Sequence, residues 1–111
     1  MVDTDLIEVL GTEYNVAILV ATEEPKSAKQ LSTELDVPIA TCYRRIDQLE
    51  EAGLLELHDR PLSDERRRVK VYRRAVENVE IDFNEALSIS VDERTAAQTE
   101  LDNARQRFVD N

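Results

Sequence analysis

Apolar positions along this 111-residue chain recur with two different periods, and the change of period divides it. Residues 4–22, TDLIEVLGTEYNVAILVAT, read as helix interrupted at Gly11, with Thr12 placed to cap the second piece. Every residue from Val16 to Ala21 is apolar, which predicts a helix buried on most sides, and Pro25 ends it. The segment SAKQLSTEL follows as a short helix. Ser27 and Gln30 have the spacing of a capping box, and Leu31 and Leu35 fall on one face. DVP makes a tight turn, with Pro38 tolerated where a helix begins. In PIATCYRRIDQLEEAG the residues Cys42, Ile46 and Leu49 stand at i, i+4 and i+7, a core stripe, and Gly53 fits the position after the helix end.

From Leu54 the period becomes two. LLELHD alternates Leu55 and Leu57 with Glu56 and His58, a half-buried strand. After a break at RPLSDE, RRVKVYRR alternates again. This puts Val69 and Val71 on one face and Arg68, Lys70 and Tyr72 on the other, so the two strands form a hairpin with a charged tip. VENVEIDF and ALSISV predict a second hairpin turning at Asn84–Glu85. Ser90 and Glu93 then have capping-box spacing at the head of a helix, DERTAAQTELDNARQRF. There Ala97, Leu101, Ala104 and Phe108 are spaced four, three and four, like a short coiled-coil seam.

Charge changes the reading of the first hairpin. The chain carries a formal net charge of -10, yet residues 58–74 hold seven of its fourteen basic residues against three acids. Residues 1–25 carry -6, residues 26–57 carry -2 and residues 75–111 carry -6, so the one positive segment lies between acidic flanks. Only three of the basic residues are lysines. This acidic, lysine-poor, arginine-retaining composition resembles that of proteins from salt-in halophiles, in which dense carboxylates hold hydration and oppose association. The start MVDTDLIEVL lacks a basic leader, and no apolar run reaches the roughly 18–20 residues that span a bilayer, so a cytoplasmic protein without a membrane partner is expected. Cys42 and His58 are each the sole residue of their type. An internal disulfide is therefore excluded, and no metal or cofactor is expected; Cys42 reads as a small core hydrophobe or a redox switch, His58 as a surface strand residue. No phosphate-binding glycine loop or nucleophile motif suggests an enzyme.

The order helix, helix, turn, helix, charged hairpin over residues 12–74 resembles a winged helix-turn-helix domain. The densest part is KSAKQLSTELDVPIATCYRRIDQLEEAGLLEL, similar to ArsR-like prokaryotic regulators at Leu31, Leu35, Val37, Thr41, Arg44, Ile46, Leu49, Gly53 and Leu54. The metal-binding cysteine pair of the metal-sensing members is missing, so metal sensing does not carry over. The resemblance implies an α+β fold: a winged helix-turn-helix in residues 1–75, followed in 76–111 by a second β-hairpin and a dimerisation helix.

It also implies a double-stranded DNA partner. Ile39, Ala40, Thr41, Tyr43 and Arg44 would face the major groove, with Arg44 forking onto guanine. Arg45 would take a phosphate, as would Lys26, Lys29 and Gln30 at the start of the preceding helix. Arg66, Arg67, Arg68 and Lys70 would form the wing against backbone or minor groove. Arg44 and Arg45 as surface ion pairs, and Tyr43 as a core residue, remain open alternatives. A homodimer would form through Ala97, Leu101, Ala104 and Phe108, aided by Leu6, Ile7 and Leu10. The alternative function is a winged-helix protein–protein interaction module of a transcription or replication assembly.

Overall fold

A computed structural model of the chain describes residues 3–63, 65–84 and 86–94. The predicted seam at Ala97, Leu101, Ala104 and Phe108 lies outside them. Helix α1 spans Asp3–Gly11 and α2 Asn15–Ala21, so the break falls at Gly11 as the sequence suggests. Thr12 does not cap α2. Its hydroxyl donates back to the Glu8 carbonyl at 2.7 Å, and Tyr14, in the left-handed region at φ 75°, precedes the helix with no side-chain cap. The apolar run of α2 is buried on one side only: Ile18 and Leu19 enter the core, whereas Val16, Ala17 and Val20 are exposed. What faces inward beside them is polar. Asn15 is fully buried and donates from Nδ2 to the Val9 carbonyl (2.7 Å) and to Gln48 Oε1 (3.0 Å), tying both helices to a third.

Two residues, Lys26–Ser27, form strand β1, and Ala28–Leu35 form α3. The capping box is present in full. Gln30 N–H donates to Ser27 Oγ, and Ser27 N–H donates to Gln30 Oε1, so two donors that a helix start leaves orphaned are satisfied reciprocally. Asp36 ends α3 in the left-handed conformation at φ 54°, which short acidic side chains tolerate, and the chain turns at Val37–Pro38 into α4, Ile39–Glu51. Cys42, Ile46 and Leu49 are buried as the stripe predicts. At the far end Gly53 N–H donates to the Glu50 carbonyl and Leu54 N–H to the Leu49 carbonyl. This closure needs the positive φ of 78° that Gly53 supplies, and it puts Leu54 beside Leu49 in the core.

Strands β2 (Leu55–Asp59) and β3 (Val71–Arg74) pair antiparallel, and β1 adds on the other side of β3, giving a three-stranded sheet of order β1-β3-β2. The alternation of the sequence assigns Tyr72 to the charged outer face, and the structure corrects this. Tyr72 is 7% exposed, paired with Lys26 on one side and Leu57 on the other, and its ring belongs to the core. Pairing fixes Tyr72 between β1 and β2 with its side chain toward the helices, so the face that packs on the core is the one the alternation assigned to the charges. Arg74 points the same way as Tyr72 and reaches the open end of α2: its Nη1 donates to the Leu19 carbonyl at 3.2 Å, and its N–H donates to Thr22 O at 2.8 Å. A cation at a helix C-terminus is favourable against the dipole.

The second hairpin forms as expected, from β4 (Val76–Asp82) and β5 (Ser88–Glu93), a separate two-stranded sheet. The capping box proposed at Ser90 and Glu93 does not exist, because both residues lie in β5, paired with Glu80 and Val76. Ladder pairing satisfies their backbone groups, leaving no helix start to cap. The fold is therefore α+β, a winged helix-turn-helix followed by a second hairpin, and its core is formed by α1–α4, β2, Tyr72 and Val76. No helix among the described residues is long and apolar enough to cross a membrane.

Candidate nucleic-acid interface

The outer face of α4 carries the residues left over from its core stripe. Ile39, Ala40, Tyr43 and Arg44 are exposed, with Tyr43 at 53%, so Tyr43 is a surface residue. Thr41 is half-buried and accepts a hydrogen bond from Arg44 Nη2 at 3.1 Å. The bond spans one turn of the helix and holds the guanidinium alongside it. Arg45 turns the other way: its Nε donates to the Glu13 carbonyl at 3.1 Å, so it braces the loop between α1 and α2. Polarity along α4 follows the sequence, with the arginines early and Asp47, Glu50 and Glu51 late. The late acids sit toward the base of the wing. There Glu50 and Asp47 add to the effect of burial, which chiefly holds the Tyr72 phenol above its ordinary range.

The wing is built between Arg60 and Lys70. Val69 N–H donates to the Pro61 carbonyl, Leu62 bridges Arg68, and Ser63 N–H donates to the Arg67 carbonyl at 2.8 Å. Arg66 N–H returns to the Ser63 carbonyl at 2.9 Å, and Arg66 itself takes φ 61°. This is the position of a hairpin turn that ordinarily carries glycine. A side chain there costs on the order of 1–2 kcal/mol. Arg66, Arg67, Arg68 and Lys70 are all exposed at or beside the tip. Arg68 Nη1 donates to the Arg60 carbonyl at 3.2 Å, so one arginine supports the loop's own backbone.

Between wing and helices lies a cleft of about 650 Å³. Tyr43 borders it from α4, Ser27 and Lys29 from the start of α3, and Arg67, Arg68 and Lys70 from the wing. It thus brings together residues from three separate stretches of sequence. Two residues to which no sequence pattern assigned a role also line it. Ser63 is one, its hydroxyl accepting from Arg67 N–H at 3.3 Å; Glu65 is the other, an acid among the bases. Only their place inside the charged break RPLSDE pointed to them. Lys26 is not among the lining residues. Its Nζ lies 2.7 Å from Glu34 Oε2, an ion pair along α3 that neutralises it locally. Gln30 is exposed, yet its Oε1 is committed to the capping box. Cys42 is wholly buried and burial pushes its thiol up, so it stays protonated and inert, a packing residue. His58 is exposed on β2.

A helix, a turn, a second helix with its outer face bare, and a basic hairpin beside it define a winged helix-turn-helix domain. Comparison with known families agrees for the helical part: residues 10–58 match the helix-turn-helix domain family, from the end of α1 into β2. The matched stretch takes in α2, β1, α3 and α4, while β3, the second hairpin and the residues after it fall outside it. No curated protein matches the chain.

Proposed function

We propose that this chain is a sequence-specific double-stranded DNA-binding transcriptional regulator that acts as a homodimer, ArsR-like and of haloarchaeal type. The observation that carries the reading is the cleft between α4 and the wing, where Lys29, Tyr43, Arg67, Arg68 and Lys70 converge although the chain as a whole is acidic. A solvated face in this protein would be acidic like the rest. A basic one fits a polyanion. The exposed start of α4 would enter the major groove, with Ile39 and Ala40 near base edges and Arg44, held by Thr41, forking onto guanine O6 and N7. Arg66, Arg67 and Arg68 would follow the backbone into the adjacent minor groove. Arg45 and Lys26 contribute less than their charge suggests, since each already has an intramolecular partner. In the dimer, Ala97, Leu101, Ala104 and Phe108 would pair the two chains, aided by Ile7 and Leu10, which are half-buried, while Leu6 is already within each chain's own core. Two α4 helices then read half-sites about 34–36 Å apart.

The test is fluorescence anisotropy with the duplex upstream of the protein's own coding region and with a random duplex. Arg44→Ala is expected to cost about 1–3 kcal/mol on the cognate duplex and to relax preference at one base position. Equal loss on both duplexes would reduce Arg44 to a backbone contact. Failure to bind any duplex across a range of salt would sink the DNA reading. It would leave the assembly-module function, for which the acidic flanks, -6 on each side, suit a basic protein partner.

A further inference from the structure

Strands β4 and β5 pair with each other and with no other described strand. Their register sets Val79 opposite Val91 and Ile81 opposite Ile89, so these four share one face, and Phe83 extends it past the end of β4. Glu80, Asp82 and Asp92 occupy the opposite face with Ser88 and Ser90. Val79 and Ile89 pack against the core, but Ile81 is 41% exposed, Val91 37% and Phe83 80%. An isolated two-stranded hairpin is marginal in water and gains stability when something covers its apolar face.

We propose that this face is the docking surface for a second copy of the chain, which lays the stripe Ala97, Leu101, Ala104 and Phe108 of its segment 95–111 along it. The inference rests on the homodimer reading above and names what the stripe packs against. Where the chain leaves the hairpin favours a second copy over the same chain. Arg94 N–H donates to the Ala75 carbonyl at 2.7 Å, its Nη1 donates to the Glu23 carbonyl at 3.2 Å, and its guanidinium pairs with Glu77 at 2.8 Å. These contacts hold the exit at the hairpin's base, beside the end of α2. To cover its own face the chain would have to reverse within Thr95–Ala96, and residues 95–111 contain no glycine or proline. A second copy approaches without that reversal.

Length agrees. Were the stripe helical, as its spacing predicts, residues 97–108 would rise about 17 Å, against about 23 Å for a seven-residue strand such as β4. The acids on the hairpin's opposite face, Glu80, Asp82 and Asp92, disfavour nucleic acid as the partner.

Light scattering on the full chain in molar potassium chloride tests the proposal. The wild type is expected at dimer mass. Ile81→Asp with Val91→Asp, and separately Leu101→Asp, should both fall to monomer mass with the helical circular dichroism signal kept. Val20→Asp, on the exposed apolar side of α2, should remain a dimer. A dimer that survives the hairpin substitutions overturns this inference and leaves the homodimer reading standing; a monomeric wild type overturns both. A second measurement covers the case in which the hairpin variant fails to fold. In a Cys42→Ala background, chains carrying Val91→Cys are mixed with chains carrying Leu101→Cys and oxidised. A disulfide-linked pair of unlike chains is expected. No such link, or a chain carrying both substitutions that closes only on itself, overturns the proposal.

Discussion

Two β-hairpins among the described residues have opposite character. The wing region, residues 55–74, carries seven bases and four acids; the second hairpin, residues 76–93, carries six acids and no base. The wing belongs to a three-stranded sheet whose central strand sends Tyr72 into the core and Arg74 to the end of α2. The second hairpin is a two-stranded sheet with an apolar face only partly covered. So the body stabilises the wing's base, and its tip is available for charge-based recognition. The second hairpin has the reverse arrangement: its charges repel a polyanion, and its apolar face calls for protein. On the proposed reading, placing the bases on one hairpin and withholding them from the other within one acidic chain would separate a nucleic-acid surface from a protein surface.

The largest effect on this contrast should come from Tyr72→Ala. Deleting a buried aromatic side chain costs about 3–5 kcal/mol. Because Tyr72 joins β1 to β2 across β3, hydrogen exchange should rise in the wing first, while β4–β5 amides keep their relative protection. Uniform loss across both hairpins would show that they fold as one unit.

Next comes Arg66, Arg67 and Arg68 together to alanine. The tip mainly positions, so binding should weaken on cognate and random duplex alike. The slope of log affinity against log salt should shift upward by about one unit for each phosphate that the variant leaves unneutralised. For the wild type a shallow or positive slope is expected in potassium chloride, because cations must screen the acidic flanks from the phosphates. A steep negative slope would remove the halophilic reading, and a triple variant that binds unchanged would remove the wing from the interface.

Arg66→Gly is smaller and has two opposite signs. Relief of the left-handed backbone at φ 61° should stabilise the fold by roughly 1 kcal/mol in a denaturant titration, while DNA affinity falls because one cation is removed. A stability gain without an affinity loss would show that Arg66 does not touch DNA.

The smallest effect is confined to alkaline solution. Burial, with Glu50 and Asp47, raises the Tyr72 phenol above its ordinary value of 10.0 in the folded chain. The unfolded chain therefore releases this proton first. The stability that Tyr72 contributes is whole below about pH 10 and is lost as pH rises toward the folded value. Thermal melts across that range should show the loss in the wild type and a smaller one in Tyr72→Phe. Identical slopes would mean that other groups dominate alkaline unfolding.

Much of the helix-turn-helix was legible because its determinants are local. The Ser27–Gln30 box spans four residues, the Cys42–Ile46–Leu49 stripe two turns, and Gly53 stands where a positive φ closes α4. The candidate site was legible as a set of residue types on the outer face of one helix and in one charged loop. Which of them were already engaged was not. Arg45 finds its acceptor 32 positions away at Glu13, and Lys26 meets Glu34 only because β1 and α3 fold them together. Ser90 and Glu93 matched a capping box by spacing alone, and pairing with the preceding strand overrode it.

By itself the sequence determined the order of the four helices and the two hairpins, the Ser27–Gln30 box, the Gly53 closure, the core stripe of α4 and the charge contrast between the hairpins. Each of these follows from neighbours within a turn or two, or from simple sums of charge. Tertiary structure decided which way Tyr72 points, which side of α2 is buried, and that α3, α4 and the wing enclose a common cleft. Those outcomes depend on strand register and helix packing between residues far apart in the chain. A one-residue change of register moves a strand's side chains to the other face, and no local pattern carries that information.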